Sequence, residues 1–422
     1  MISVLNHLQL SSGNKILGFL GLMWFLSACS PKTTPTPRNP TPVVQPSKEK
    51  ATVKKENPSV EKKKEIKEMT ISMILPFDLD EVDYQTATSQ DLKKSEIAID
   101  FYQGFKMGLD SIAHQHNGIN FKLQVFDSKD DPRHLGTLAA KGEVKSSDLV
   151  VGPVFPSGIK TFSVYSRNLQ LPMVSPLAAS DPDLFQNPYL ISINNALELH
   201  SYKAAEFIKN RLKPKKVIII RSGQADEYKY AVPFKKGMDS LAKGIPLTEI
   251  GIKAVGNDRV FKYLSPVGLN VIVLPATNRT FLMSILPTLQ DLSSTYQIAV
   301  IGHPNWAKLS FLDYGVLEKL DAYITSSYQL DYSSTRVADF VKKYRASFSL
   351  EPSEFSFKGF DIGYYFGKLM SEKGENFMSF LDQETLNGIE NGFKFKRDAK
   401  NGYYNTSLMM MKFETGKLKK VN

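Results

Sequence analysis

From Met69 onward, short β-rich apolar runs alternate with stretches that carry apolar residues at helical spacing, and this alternation restricts the folded part to few architectures. The strand-like runs are TISMILPF, FKLQVFDS, DLVVGPV, LPMVSP, KVIIIRS, NVIVLPA and QIAVIGH. Ile97, Phe101, Phe105 and Leu109 mark an amphipathic helix ending near Asn117-Gly118. Further helices are predicted over 135–145, 157–168, 201–212, 230–242 and 279–292. Short strands between helices of roughly 10 to 15 residues specify parallel sheets covered on both faces, so the predicted fold class is α/β and doubly wound. The tail from Gly392 alternates like a strand and is broken at Lys400-Asn401-Gly402 and Glu414-Thr415-Gly416-Lys417, which predicts hairpins.

The N-terminal part is built differently. Lys15 precedes an apolar run, Ile16 to Leu26, that is well short of the roughly 20 residues needed to span a bilayer. It closes on Leu26-Ser27-Ala28-Cys29, and Cys29 is the only cysteine in the chain. A lone cysteine excludes an intramolecular disulfide and any multi-cysteine metal site. The segment resembles the lipobox of bacterial lipoproteins, with residues 1–28 as signal peptide. The resemblance implies that Cys29 carries lipid and becomes the mature N-terminus, with several acyl chains holding it on the membrane. Ser30 follows rather than Asp, which by the same resemblance implies the outer membrane. Ser30-Pro31-Lys32 lacks an acidic surface-export cluster, which implies the periplasmic face. Residues 30–47 are dense in proline and residues 48–68 in Lys and Glu, so neither stretch buries enough apolar surface to fold. As a flexible coil, a tether over 29–68 reaches about 35 Å.

Charge and motifs narrow the function. Residues 1–70 hold 11 Lys/Arg against 5 Asp/Glu, so +6 of the formal +10 lies in the leader and tether. The remainder is too dilute for a nucleic-acid footprint, and no nucleic acid is expected as partner. There is no GxSxG elbow, no P-loop, no GxGxxG after a strand and no HExxH. Asp127, Asp130 and Asp131 fall in a polar turn, and His114 and His116 at a helix end, where solvation explains them without catalysis or a metal. Neither an enzyme nor a cofactor is expected.

Several segments, taken in order, resemble type I periplasmic binding proteins, especially the Leu/Ile/Val-binding branch. They are Ile74-Leu75-Pro76-Phe77, Phe101-Tyr102-Gln103-Gly104-Phe105, Val151-Gly152-Pro153, Leu171 to Pro176, Lys216 to Ile220 and Gly359-Phe360-Asp361-Ile362-Gly363-Tyr364-Tyr365. The resemblance implies two doubly wound parallel-sheet lobes joined by a hinge, with a ligand in the cleft between them. By this analogy lobe 1 takes 70–193 plus 333–387, and lobe 2 takes 194–332 plus 388–422.

Ligand candidates sit in loops at the carboxyl ends of strands. In lobe 1 they are Pro76, Phe77, Ser157, Ser175, Ala178 and Ser180; the alternative for Ser157 and Ser180 is helix capping. In lobe 2 they are Tyr228, positioned like an aromatic lid, with His303, Asn305 and Trp306. Trp306 is either a stacking surface or a core plug. Amino-acid-binding relatives tend to place an acidic residue near 303–305, which this chain lacks, so an ammonium there has no counter-charge. Two functions remain. One is a lipid-anchored periplasmic protein clamping a small polar ligand (amino acid, peptide or cell-wall fragment), with an ABC permease as possible partner. The other is a non-catalytic envelope interaction protein, similar to the outer-membrane lipoproteins that activate peptidoglycan synthases.

Overall fold

The structure is a computed structural model and describes residues 67–421 apart from 81, 82, 84 and 117. The expected signal peptide, Cys29 and nearly all of the expected tether lie outside the described residues. The described residues form fifteen strands, in chain order. The first five are β1 (Lys67–Leu75), β2 (Ile119–Asp127), β3 (Leu149–Val151), β4 (Met173–Ser175) and β5 (Leu190–Ser192). Next come β6 (Lys216–Arg221), β7 (Leu247–Gly251), β8 (Asn270–Leu274), β9 (Ile298–Gly302) and β10 (Ala322–Ser326). The last are β11 (Thr385–Asn387), β12 (Gly392–Asp398), β13 (Gly402–Asn405), β14 (Met409–Glu414) and β15 (Lys417–Lys420).

They form two sheets, ordered β11-β12-β13-β5-β4-β3-β1-β2 and β15-β14-β10-β9-β8-β6-β7. From β13 to β2 and from β10 to β7 every pairing is parallel, and antiparallel strands occupy one edge of each sheet. Parallel strands covered by helices on both faces have no solvent side, and β8 and β9 are accordingly buried at every position. The predicted two-lobed, doubly wound α/β architecture is the one observed.

Lobe 1 is stiffened by the Ser89–Gln115 helix packing along the Glu354–Lys373 helix. Glycines make the crossing possible. A Cβ on Gly104 would strike the Ser356 carbonyl, and on Gly359 and Gly363 the carbonyls of Phe101 and Phe105. Backbone therefore meets backbone, and the buried rings of Phe101 and Phe105 stack beside it, with centroids 6.1 Å apart. The two segments FYQGF and GFDIGYY are the two halves of this one contact.

The chain passes between the sheets three times: after β5 near 193–196, after β10 near 326–330, and after β13 near 406–408. Asn195 Nδ2 donates to the Asn405 carbonyl at 2.6 Å and ties the first crossing to the third. Gln329 N–H donates to the Glu390 carbonyl at 3.0 Å and ties the second crossing to lobe 1. One expected boundary moves: of residues 388–422, expected in lobe 2, β12 and β13 belong to the first sheet, with Tyr403 opposite Ile191, and β14 and β15 join the second. Local alternation predicts both hairpins; which sheet offers each a free edge is a tertiary matter.

Candidate functional site

Between the lobes lies a cavity of about 250 Å³, walled by the first and second crossings, the loop after β4, the turn after β9 and the start of the Glu354–Lys373 helix. Each wall has a local reason for its position. His303 accepts the Asn305 N–H on Nδ1 at 3.1 Å and so caps the single-turn helix Pro304–Lys308, which aims Lys308 across the gap. Ser353 caps the Glu354–Lys373 helix, and Ser356 reciprocates by accepting the Ser353 N–H. Glu354 is thereby fixed at the positive end of the helix, where a carboxylate is favoured.

Charge converges on Glu354. Lys308 from lobe 2 reaches it at 3.2 Å, and Lys358, one turn along the same helix, at 2.9 Å. Burial works to raise the Glu354 carboxyl, but the two ammonium groups overcome it and hold the acid below its usual range. Lys358 is only 5% exposed, and its ammonium also lies 4.3 Å from the centre of the Tyr328 ring. The opposite wall is neutral. His200 Nδ1 is 2.8 Å from Thr325 Oγ1, and Nε2 is 3.3 Å from Ser327 Oγ. Burial pushes His200 down to about 3, helped by His303, and burial brings His303 down to about 4 against the pull of Asp226.

Two buried acids sit behind the cavity. Asp361 accepts backbone N–H bonds from Ile389, Glu390 and Asn391 at 2.7 to 2.8 Å, and burial nonetheless carries it up to about 6. Burial takes Glu390 up to about 8, which leaves it mostly protonated at neutral pH, and its Oε2 has no hydrogen-bond partner. Among the described residues, no group of three or more His, Cys, Asp or Glu side chains converges as a metal site.

Of the ten sequence-derived ligand candidates, Asn305 lines the cavity directly. Ala178 is buried in the lobe 1 core, while its neighbours Leu177 and Ala179 line. His303 acts behind Asn305 as the cap described above. Of the two readings of Trp306 the structure shows the core plug: it is fully buried, covers Gly302, and donates Nε1–H to the Ala276 carbonyl at 2.9 Å. Pro76 and Phe77 are also buried; Phe77 packs edge-on to Tyr102, and Asp127 ties down its loop by accepting the Phe77 and Leu79 N–H groups. Ser175 is buried at the end of β4, and its carbonyl accepts the Ile193 N–H. Ser157 and Ser180 stay outside the cavity lining, and neither caps a helix: Phe155 holds the cap position before 157. Tyr228 is 46% exposed with its ring 4.2 Å from the Arg221 guanidinium, away from the lining.

Sequence reasoning missed Asn195, His200, Lys308, Tyr328, Glu354 and Lys358. A signal existed for two of them. Glu354 and Lys358 stand four apart in EFSFKGFDIGYYF, an otherwise aromatic and glycine-rich stretch where a lysine has to pass through the buried face. Asn195, Lys308 and Tyr328 lie on interlobe crossings or turns, which leave no periodic trace, and His200 sits in the first turn of the Leu197–Phe207 helix.

No protein-family model and no curated protein matches the chain. Solved structures do. A putative branched-chain amino acid ABC transporter from Rhodospirillum rubrum aligns with TM-score 0.62 at 15% identity, over 84% of this chain and 99% of that one. An ABC-type branched-chain amino acid transporter from Rhodopseudomonas palustris aligns with TM-score 0.59 at 15% identity, over 84% and 96%. An ABC transporter substrate-binding protein from Desulfitobacterium hafniense, in complex with Leu, aligns with TM-score 0.55 at 14% identity, over 84% and 100%. At such identities the likeness establishes the fold, that of the two-lobed type I periplasmic binding proteins. Among the described residues, no helix is long and apolar enough to cross a membrane.

Proposed function

We propose that this chain is a non-catalytic, lipid-anchored envelope protein that clamps a small polar ligand between its lobes. The observation that carries the reading is the inter-lobe cavity, whose walls come from both lobes and from two crossings and which the Lys308–Glu354 ion pair bridges. A half-exposed ion pair is cheap to break and re-form, so it suits a hinge that opens and closes. An apolar seam between the lobes would resist opening. Delivery to an ABC permease fits the reading, since the R. rubrum, R. palustris and D. hafniense structures bear transporter names.

The test is thermal-shift screening with amino acids, short peptides and muropeptides. A clamped ligand raises the melting temperature by mass action, by about 2.7 kcal/mol of stability at a hundredfold excess over Kd. A flat response across the screen would put the envelope interaction protein in its place, using the same fold to contact a peptidoglycan-synthesis enzyme. The anchor has its own test: Cys29→Ser should move the protein from the outer-membrane fraction to the soluble one while its circular dichroism stays unchanged.

A further inference from the structure

We infer that the inter-lobe cavity selects a small monocarboxylate that also carries a hydroxyl donor, in preference to a zwitterionic amino acid. The inference rests on the clamping function proposed above and names its ligand class. Two independent observations lead to it.

The first is charge. Three ionised side chains line the cavity: Lys308, Lys358 and Glu354. One carboxylate is shared by two ammonium groups, at 3.2 and 2.9 Å, so the pocket keeps one positive charge in excess. Lys358 is buried, and a buried charge without a full counter-charge is costly. The Tyr328 ring relieves part of that cost and brings no negative charge. Of the titratable groups around them, His200 and His303 are deprotonated by burial and Glu390 is held mostly as the acid, while the Asp361 carboxylate behind the wall is spent on the Ile389, Glu390 and Asn391 N–H groups. A bound monoanion balances the pocket. A zwitterion leaves the excess in place, and its ammonium would be a third cation competing for Glu354.

The second is an orphan acceptor. Asn195 lines the cavity and spends its Nδ2 on the Asn405 carbonyl, which leaves Oδ1 buried with no donor from the protein. Thr325 and Ser327 face His200, Ser326 donates to the Tyr328 carbonyl, and none of these hydroxyls reaches Oδ1. A ligand hydroxyl supplies a neutral donor without adding charge. The volume of about 250 Å³ equals roughly eight waters. Leu177 and Phe355 offer apolar wall to a short hydrocarbon body.

The test is calorimetric titration of the full mature lipoprotein in detergent with probes that share one isobutyl body: 2-hydroxy-4-methylpentanoate, 4-methylpentanoate, leucine and 3-methylbutylamine. The hydroxy acid should bind tightest, about tenfold more tightly than leucine, and the amine should not bind. Lys308→Met should shrink the preference over leucine at least fivefold; an unchanged melting temperature in that variant shows that the fold is retained. Leucine binding most tightly, or any binding of the amine, overturns the charge argument and leaves the clamp intact. Equal affinity for the two acids overturns the hydroxyl part. Silence from every probe overturns the ligand class, while the broad screen described above decides the clamp separately.

Discussion

The Glu354–Lys373 helix makes two contacts of opposite character. Along its length, Gly359 and Gly363 press against the backbone of the Ser89–Gln115 helix, where a single added methyl would strike a carbonyl. At its first turn, Glu354 and the buried Lys358 reach into the cavity, and Glu354 meets Lys308 of the other lobe in a half-exposed ion pair. The first contact is dry, close-packed and intolerant of displacement. The second can exchange protein partners for water or ligand at small cost. One helix thus anchors a lobe rigidly and presents a wall that is able to let go.

The sharpest way to break this comparison is Gly363→Ala. Overpacking against the Phe105 carbonyl should cost about 3 kcal/mol, read as a lower urea midpoint with unchanged m-value. A loss under about 0.5 kcal/mol would mean that the helices have room to part.

Acid is the next lever. In the folded state His200 and His303 lie near 3 and 4, below the 6.5 of an unperturbed histidine. Stability from keeping them neutral is complete above about pH 6.5 and is lost as pH falls toward 4. By pH 5 each should cost up to about 2 kcal/mol. Denaturant melts from pH 7.5 to 4.5 read the slope, and His200→Gln should flatten it. A slope that this substitution leaves intact would assign the loss elsewhere.

Trp306→Phe removes the bond to the buried Ala276 carbonyl and should cost about 1 to 2 kcal/mol while leaving ligand affinity unchanged. An affinity change larger than the stability change would return Trp306 to the binding surface. The smallest effect is expected at the wall that lets go. Lys308→Met should shift stability by less than about 1 kcal/mol, because that ion pair is half-exposed. A loss comparable to that of Gly363→Ala would make the lobe interface as rigid as the lobe core and remove the basis for a clamp.

Much of the fold was legible because it is written locally. Period-2 and period-3.6 patterning placed most of the strands and helices and both terminal hairpins but not β5, β7, β10 or β11, and the resemblance ordered them into two lobes. The candidate site was legible only in part, since loops at strand ends are the correct neighbourhood yet do not say which side chains turn inward. Trp306 shows the difficulty: a tryptophan beside a strand end suits a stacking surface or a plug equally until Gly302 and Ala276 are seen beneath it.

The sequence by itself determined the alternation, the turns and the glycines, because each is a preference of a few neighbouring residues. It also determined the distinct composition of the first 68 residues and the lipobox resemblance on which the proposed anchor at Cys29 rests. Only the tertiary structure decided that β12 and β13 complete the first sheet, and that Lys308 and Glu354, 46 positions apart, meet across the cavity. Those outcomes depend on which free sheet edge and which buried charge are nearest after the lobes have formed, and separation along the chain carries no record of that.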